Sequence, residues 1–458
     1  MNDKTPNAID ASSRSSGASS PLRSALVGLG GASIEWYDFF IYGTAAALVF
    51  PTLFFSATLP PLVALIGSFS TSAVGFVARP LGAIVFGHFG DRIGRKTCLA
   101  IAMIMMGLTT TSIGLLPPYS RVGAIAPLAL VVLRFIQGLA IGGQWGGAIL
   151  LATENAPATR RGLYGAMAQA GVPLGVITAN LAFLAASAAT TAEGFLAYGW
   201  RIPFLCSIAL VALGLFVHFR VQETPVFREL QRSRPARSTR SPVIEAFALY
   251  PRLIVLAAIA YSSTNVMFYI LTNYIVGYAT SAVGLHMPRS TLLIAVLVAQ
   301  IVVAPAMPLM GRLSDRFGRR RMFMTGVLLS AFWAFAVFPL VETRSLLWIA
   351  VATSVGGCFN AITYGPLAAL FSELFSTRVR YSAASLAYQL AAIIGGGPAP
   401  VIAATLFDRY HRNIAISIYM ATACVVSLAC ARYLIDRRGS TLDEDIDPSA
   451  VAATRVTG

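Results

Sequence analysis

Apolar residues fall along this chain in long blocks separated by short polar stretches. Most blocks reach the roughly 20 residues that a helix needs to cross a hydrocarbon core of about 30 Å. Buried strands and most soluble helices are shorter than this, so the pattern predicts twelve membrane-spanning helices. Their predicted ranges are 24–50, 61–89, 97–117, 123–151, 162–190, 196–219, 251–281, 289–311, 322–341, 345–371, 380–407 and 413–434.

Polar segments flank and divide the apolar blocks. Residues 1–22 are rich in serine and predict a disordered cytoplasmic tail, and residues 436–458 predict a second cytoplasmic tail. Residues 221–250 are rich in Arg and Pro and predict a cytoplasmic linker between two six-helix bundles, 23–220 and 251–435. The first apolar block contains acids and is too long for the core of a signal peptide, so we expect an uncleaved helix.

Charge is scarce and lies mainly between the apolar blocks. Only 12% of the residues are charged, against about 25% in soluble proteins. The net charge of +15 therefore indicates membrane topology, and no nucleic acid partner is expected. Lys and Arg are concentrated on one side of the predicted membrane, which predicts that both termini are cytoplasmic. The five cysteines and four histidines follow no ligand spacing, so we expect no metal and no cofactor.

The chain repeats a loop motif at corresponding places in its two halves. Residues 87–96 read GHFGDRIGRK after the second predicted helix, and residues 311–320 read GRLSDRFGRR after the eighth. Matching loops in two halves are typical of duplicated transporters that bind substrate between the halves.

The paired loops resemble the signature of the major facilitator superfamily. Further stretches, in order, are similar to its metabolite:H+ symporter family, and the match runs from about residue 24 to 435. They are IEWYDFFIYG at 34–43, Arg134 with Gln137 and Gly138, GWRIPF at 199–204, ETPVF at 223–227, FSELFSTRVRYS at 371–382, Tyr388 with Gln389, and GGG at 395–397.

The resemblance implies an all-α integral membrane fold of two pseudo-symmetric six-helix bundles. It also implies proton-coupled uptake of a small organic acid or zwitterion (shikimate, 2-oxoglutarate, citrate, proline and betaine types) by alternating access. We accordingly expect a monomer in a bacterial inner membrane, with a small molecule, protons and the lipid bilayer as its partners. One residue departs from the family pattern: Gln144 stands where the family usually has an acid, so a proton role at that position is in doubt.

The same residues support three other functions less well than proton-coupled uptake. An exporter using proton antiport would have a Gly-Pro-Gly-Gly type run in the fifth helix, which residues 171–175 fit only in part. A membrane-bound enzyme would need a nucleophile–base pair, ligand spacing or a phosphate loop, and the chain has none of these motifs. A sensor of this family would carry a long C-terminal coiled coil, whereas residues 436–458 are short and show no heptads.

Acids in the first predicted helix are candidates for proton coupling. A charge within a span costs roughly 2.5–3.5 kcal/mol on insertion scales, so its presence indicates a function. Glu35 lies about 18 Å beyond Arg23 along a helix, near the middle of the bilayer. Glu35, Asp38 and Tyr42 share one helix face, and repulsion between two acids in a low dielectric favours protonating one of them. We therefore expect Glu35 and Asp38, with Arg134, to couple transport to protons.

Buried arginines are candidates for binding a substrate carboxylate, which a guanidinium can hold with two parallel hydrogen bonds. Arg79 and Arg134 are the two candidates. The competing interpretation is that acids and arginines only neutralise one another, and that amides and tyrosines only join helices. Polar and aromatic residues expected to complete the site are Tyr42, Gln137, Trp145, Asn265, Tyr269, Tyr364 and Gln389.

The charged residues of the repeated loops are expected to control conformation. A carboxylate there can pair with arginines and with the N-terminus of a neighbouring helix. In the superfamily this contact holds the cytoplasmic side closed. The alternative is that the arginines only fix topology. The residues concerned are Asp91, Arg92, Arg95, Asp315, Arg316 and Arg319.

Overall fold

The computed structural model describes residues 21–93, 95–142, 149, 152–154, 156–209, 211–212, 242–281, 284–376 and 379–436. Between residues 87 and 99 it describes the backbone alone. Within these ranges the regular structure is helical, with no strand.

Twelve long helical elements follow one another in the described ranges. They are α1 (Pro21–Leu48), α2 (Pro61–Ile93), α3 (Arg95–Leu115), α4 (Ile125–Gly142), α5 (Ala158–Ala188), α6 (a π turn Phe195–Gly199 followed by Arg201–Cys206), α7 (Pro251–Thr280), α8 (Arg289–Phe317), α9 (Arg319–Glu342), α10 (Leu346–Leu374), α11 (Arg380–Ala391, a π turn Ala392–Gly396, then Pro398–Tyr410) and α12 (Ile414–Ala431). Short helices lie at Phe50–Leu53, Tyr119–Val122, Ala192–Gly194 and Pro242–Leu249.

Most of these helices are long and apolar enough to cross a membrane. Nine helices in the described residues meet that standard of length and composition, and Ala100–Leu115 is a shorter apolar helix. The all-α membrane fold is therefore confirmed. The largest extension beyond a predicted end is in α8, which continues to Phe317 and not to 311. The helix persists because its backbone hydrogen bonds continue past the point where side chains become charged.

Glycines allow close helix crossings within the first half. A Cβ added to Gly138 on α4 would lie 2.8 Å from the Cβ of Ala78 on α2, and one added to Gly175 on α5 would lie 2.5 Å from the Cβ of Trp36 on α1. Small residues at such crossings let backbones approach, which is the main source of packing between helices in lipid. These crossings hold α4 closely against α2 and α5 closely against α1.

Contacts between the first six and the last six helices lie on both sides of the buried charges. Toward one end, Phe69 of α2 lies against Gly277 of α7, 3.0 Å from an added Cβ. Toward the other end, Gly162 of α5 lies against α8, where a Cβ on Gly162 would meet Ser314 Oγ at 2.6 Å. The space between these two contacts contains Arg79, Arg134 and the polar side chains that face them.

Two helices of the second half are interrupted by π turns beside this space. The turn Ile270–Tyr274 follows Tyr269 in α7, and the turn Ala392–Gly396 follows Gln389 in α11. A π turn widens the helix and changes the direction of the side chains that follow, and such turns occur frequently at functional sites. The interruptions therefore lie next to residues predicted to bind substrate.

Candidate functional site

Arg134 lies at one end of a polar chain that joins three helices. Its side chain is 1% exposed, and its Nη1 donates a hydrogen bond of 2.5 Å to Oε1 of Gln137. The amide nitrogen of Gln137 donates in turn to Oγ1 of Thr110 on α3, at 2.7 Å. Gln137 lies one helical turn after Arg134, so the bond fixes the guanidinium along the face of α4.

Asp38 on α1 lies at the other end of this chain. It is fully buried, and one carboxylate oxygen accepts a hydrogen bond from the hydroxyl of Ser207 beyond α6. The hydroxyl of Thr110 also lies within hydrogen-bonding reach of the carboxylate. The second oxygen, Oδ2, has no hydrogen-bond partner among the described residues. Asp38 is thus linked to Arg134 through Thr110 and Gln137.

Both buried arginines lie against aromatic rings. The guanidinium carbon of Arg134 is 4.1 Å from the ring centre of Tyr42 and 4.4 Å from that of Phe39. That of Arg79 is 4.5 Å from the ring centre of Phe39 and 4.4 Å from that of Phe76. Aromatic faces attract cations without using their N–H groups. The rings therefore hold both charges in place while leaving hydrogen-bond donors available.

Several of those donors have no partner in the described part of the chain. They are Nε and Nη2 of Arg79 and Nε of Arg134. Arg79 is 1% exposed, so neither guanidinium reaches bulk water. Buried donors of this kind are costly unless a ligand or water satisfies them. The two arginines therefore keep buried N–H groups that a ligand could satisfy.

Glu35 and Tyr42 occupy the predicted face of α1 with different surroundings. Glu35 is partly buried and lies close enough to Arg79 to interact with it electrostatically. Tyr42 is fully buried, and its hydroxyl donates to Oγ1 of Thr71 at 2.7 Å. Asp38 therefore belongs to the chain that ends at Arg134, whereas Glu35 belongs with Arg79.

The second half presents tyrosines to the same space. Tyr261 and Tyr269 lie two turns apart on α7 and thus share a face. Tyr261 stacks on Tyr388 of α11 at 5.2 Å between ring centres and on Tyr364 of α10 at 6.1 Å. Tyr269 meets Phe76 of α2 edge to face at 5.1 Å. The tyrosine cluster, Tyr261, Tyr364 and Tyr388, thus forms an aromatic wall opposite the arginines.

Neutral polar groups of the second half also lack partners among the described residues. Asn265 lies between Tyr261 and Tyr269 on the same face of α7, and its Nδ2 is unpartnered. On α11, Gln389 is fully buried, and neither its Oε1 nor its Nε2 has a partner. Ser385, one turn earlier, has an unpartnered Oγ. The site thus combines cations on one side with neutral donors and acceptors on the other.

A separate charge cluster joins the two halves at the end of the bundle where α8 meets α9. Asp315 accepts hydrogen bonds from the backbone N–H groups of Gly162 at 2.9 Å and Leu163 at 3.0 Å. These groups lie in the first turn of α5, where helix N–H groups have no internal partner. Arg319 contacts Asp315 at 2.5 Å and Glu373 at 3.4 Å. Arg316, by contrast, is exposed.

Two further ion pairs extend this charge cluster. Arg161 lies 3.9 Å from Glu373, and Arg380 lies 3.7 Å from Glu154. Each pair joins one residue of the first half to one of the second. Among the predicted gate residues, the side chains of Asp91, Arg92 and Arg95 lie outside the described residues, as do Gln144 and Trp145.

Thr110, Ser207 and Ser385 were not selected from the sequence. Each is a hydroxyl residue in or beside an apolar span, and the chain has many of these, most of which bond to their own helix backbone. Only the fold shows which of them face a charged residue or the site. In the described ranges, no group of three or more His, Cys, Asp and Glu is placed to hold a metal ion.

Comparison with known proteins identifies the family. The family model described as Major Facilitator Superfamily matches residues 29–400. The inner membrane metabolite transport protein YhjE of Escherichia coli strain K12 is 42% identical over 401 residues, covering 87% of this chain and 90% of that protein. The shikimate transporter of the same strain is 38% identical over 416 residues, covering 90% and 94%.

A solved structure shares the fold. The xylose transporter XylE from E. coli, in a partially occluded inward open conformation, matches with a TM-score of 0.72 over 92% of this chain and 100% of that chain, at 18% identity. These relatives are transporters, and they confirm the family resemblance carried by the motifs. The chain therefore belongs to the major facilitator superfamily, and it is a membrane transporter of metabolites and not an enzyme.

Proposed function

We propose that this protein takes up a small organic acid or zwitterion together with protons, by alternating access between its units 23–220 and 251–435. The observation that carries the proposal is the pair of buried guanidiniums, Arg79 and Arg134, which keep N–H groups without a partner among the described residues. A cation that is held by aromatic rings and keeps free donors is suited to a carboxylate.

In this proposal the substrate carboxylate binds between Arg79 and Arg134. Arginine stays charged and offers donors in a fixed fork, so it can grip a carboxylate without itself titrating. Residues proposed to complete the site are Tyr42, Gln137, Trp145, Asn265, Tyr269, Tyr364 and Gln389.

Asp38 and Glu35 are proposed to carry the proton. Asp38 is buried and reaches Arg134 through Thr110 and Gln137. Protonating Asp38 removes a negative charge from this chain and leaves Arg134 free to attract the substrate anion. Proton and anion then enter together, which is the behaviour of a symporter.

The charge cluster around Asp315 is proposed to close the cytoplasmic side, with both termini in the cytoplasm. Asp315 joins α8 to the start of α5, so the contact must break when the halves separate at that end. The same separation would expose the central site to the cytoplasm. Arg92, Arg95, Asp91, Arg316 and Arg319 are the other residues assigned to this gate.

Uptake in proteoliposomes tests this function. The protein is reconstituted, a proton gradient is imposed, and uptake of labelled shikimate, 2-oxoglutarate, citrate, proline and glycine betaine is measured with and without a protonophore. We expect one chemical class to accumulate and the protonophore to abolish its accumulation. Uptake that the protonophore leaves unchanged would contradict symport, and proton-driven accumulation of substrate within inside-out vesicles would indicate an exporter.

A further inference from the structure

We propose that the substrate is a carboxylate that also carries hydroxyl groups, and that Gln389 on α11 binds those hydroxyls. The inference rests on the proposed function, since it assumes that the carboxylate lies between Arg79 and Arg134. The new element is the identity of the chemical groups at the end of the substrate that lies away from these arginines.

Among the described residues of the second half, Gln389 has the most buried hydrogen-bonding atoms without a partner. It is 0% exposed, and both its Oε1 and its Nε2 lack partners. A buried amide left without hydrogen bonds is destabilising, because it has lost its bonds to water without gaining others. A helix that keeps such a residue at an interface therefore needs something to satisfy it when the site is filled.

Gln389 lies on a part of α11 that reaches the first half, since its neighbour Tyr388 is close enough to Arg79 to interact with it electrostatically. Further along α11, Gly396 and Gly397 meet Phe76 of α2, at 2.9 Å and 3.1 Å from an added Cβ. One turn before Gln389, the buried hydroxyl of Ser385 also has no partner. Gln389 and Ser385, on one side of α11, thus both carry hydrogen-bonding atoms without a partner among the described residues.

Neutral groups that both donate and accept are complementary to hydroxyls. A hydroxyl can donate to Oε1 and accept from Nε2, so it satisfies both atoms of the amide. A second carboxylate on the substrate accepts only, and it would place negative charge beside Oε1. A quaternary ammonium neither donates nor accepts in this way. The amide therefore favours a hydroxylated substrate over a dicarboxylate or a betaine.

The charges of the second half support the same choice. Within the described residues of α7, α10 and α11, charged side chains occur only near helix ends. They are Arg252, Glu373, Arg380, Asp408 and Arg409. A second carboxylate at the tyrosine cluster would therefore find no cation on these three helices away from their ends, and only Arg79 and Arg134, which the first carboxylate occupies in the proposed function, could pair with it.

Ligand pairs that differ only in hydroxyl groups test the inference directly. Affinities of the purified full-length protein are measured by calorimetry, without a proton gradient, for shikimate and for cyclohex-1-ene-1-carboxylate, which is the same acid without hydroxyls. We expect shikimate to bind at least about tenfold more tightly. Succinate and glycine betaine, measured in parallel, should bind more weakly than shikimate.

A substitution then assigns the hydroxyl contact to its residue. Gln389→Leu should bring the ratio of the two affinities close to one while leaving the affinity for the deoxy acid within about twofold, because the arginine end is unchanged. The matched control is Gln300→Leu on α8, a buried glutamine whose Oε1 is also unpartnered but which lines a narrow cavity between α7, α8 and α10. That variant should keep the wild-type ratio.

Several results would overturn the inference. Equal affinities for the two acids in the wild-type protein would do so even if Gln389→Leu failed to fold. Tighter binding of succinate or betaine, or no binding of shikimate at millimolar concentration, would do the same. None of these results bears on coupling, because protonophore-sensitive uptake is measured separately with whichever ligand accumulates.

Discussion

The arginines of the site differ from ordinary buried cations in what holds them. Arg134 lies over Phe39 and Tyr42 and is tied to Gln137, and Arg79 lies over Phe39 and Phe76. Rings and a neutral amide hold Arg134, whereas Arg79 also interacts electrostatically with Glu35. The charge of Arg134 is therefore available to a substrate, which would not hold if this arginine were locked to an acid in a tight pair.

Lysine at position 134 should impair transport although it keeps the charge. Lys cannot lie flat over Tyr42 while donating to Gln137 and to a carboxylate in fixed geometry, because it is a point charge with a flexible stem. We expect Arg134→Lys to lower the initial uptake rate at least about tenfold. Labelled uptake in proteoliposomes measures this. Arg409→Lys, at an exposed position near the end of α11, is the control, and equal rates for the two variants would refute the assignment.

Asp38→Asn should separate transport from proton coupling. Asparagine keeps a group that can accept from Ser207, but it cannot take up or release a proton. We expect accumulation driven by a proton gradient to fall to background. Exchange of internal unlabelled for external labelled substrate should continue. The exposed Asp408→Asn provides the control, and full accumulation by Asp38→Asn would show that another residue carries the proton.

At the scale of helices, close crossings fix the distances between the charged residues of neighbouring helices. Gly138 follows Gln137 on α4 and packs on α2, where an added Cβ would lie 2.8 Å from the Cβ of Ala78. A larger residue must push the two helices apart. Because Arg134 and Arg79 lie on these same helices, any separation also changes the distance between the two guanidiniums.

Gly138→Ala should therefore destabilise the protein. Overpacking of this kind typically costs about 1–3 kcal/mol, which we expect to appear as a lower midpoint of thermal unfolding for the purified protein in detergent. Gly30→Ala on α1 is the matched control, since a Cβ there meets nothing within 4 Å. A midpoint for Gly138→Ala equal to that of the control would mean that α2 and α4 can move apart at this crossing without loss of stability.

At the scale of the whole molecule, the two halves share loops but divide the chemistry of the site. The charge cluster at Asp315 joins α8 to α5 through backbone N–H groups, and it suits a contact that forms and breaks as the halves move. The charged residues of the central site, Glu35, Asp38, Arg79 and Arg134, lie in the first half, and the vacant neutral groups Asn265, Ser385 and Gln389 lie in the second. Relative motion of the halves would therefore separate the two ends of a bound substrate.

Asp315→Asn should open the end of the bundle where α8 meets α5. Loss of the negative charge weakens its attraction both to the start of α5 and to Arg319. Spin labels at Thr159 and Phe317, both exposed, allow the distance between the ends of α5 and α8 to be measured. We expect a larger share of long distances in Asp315→Asn than in the Asp408→Asn control. An unchanged distribution would argue against a gating role.

Much of this architecture follows from the sequence because the relevant signals are local. A hydrocarbon core demands continuous apolar helices, so hydropathy places twelve spans, and a charge within a span stands out against it. The chain therefore indicates Glu35, Asp38, Arg79 and Arg134 by itself. The repeated loop likewise indicates Asp315 and Arg319.

Only the tertiary structure decides which partners these residues have, because those contacts join distant parts of the chain. Asp38 meets Ser207 across 169 positions, and Thr110 links it to Gln137 on another helix. Whether a buried hydroxyl or amide is satisfied depends on every helix packed around it, which no local pattern encodes. The sequence alone determined which charged residues lie within the membrane spans, whereas the fold decided which hydrogen-bonding groups were left for a ligand.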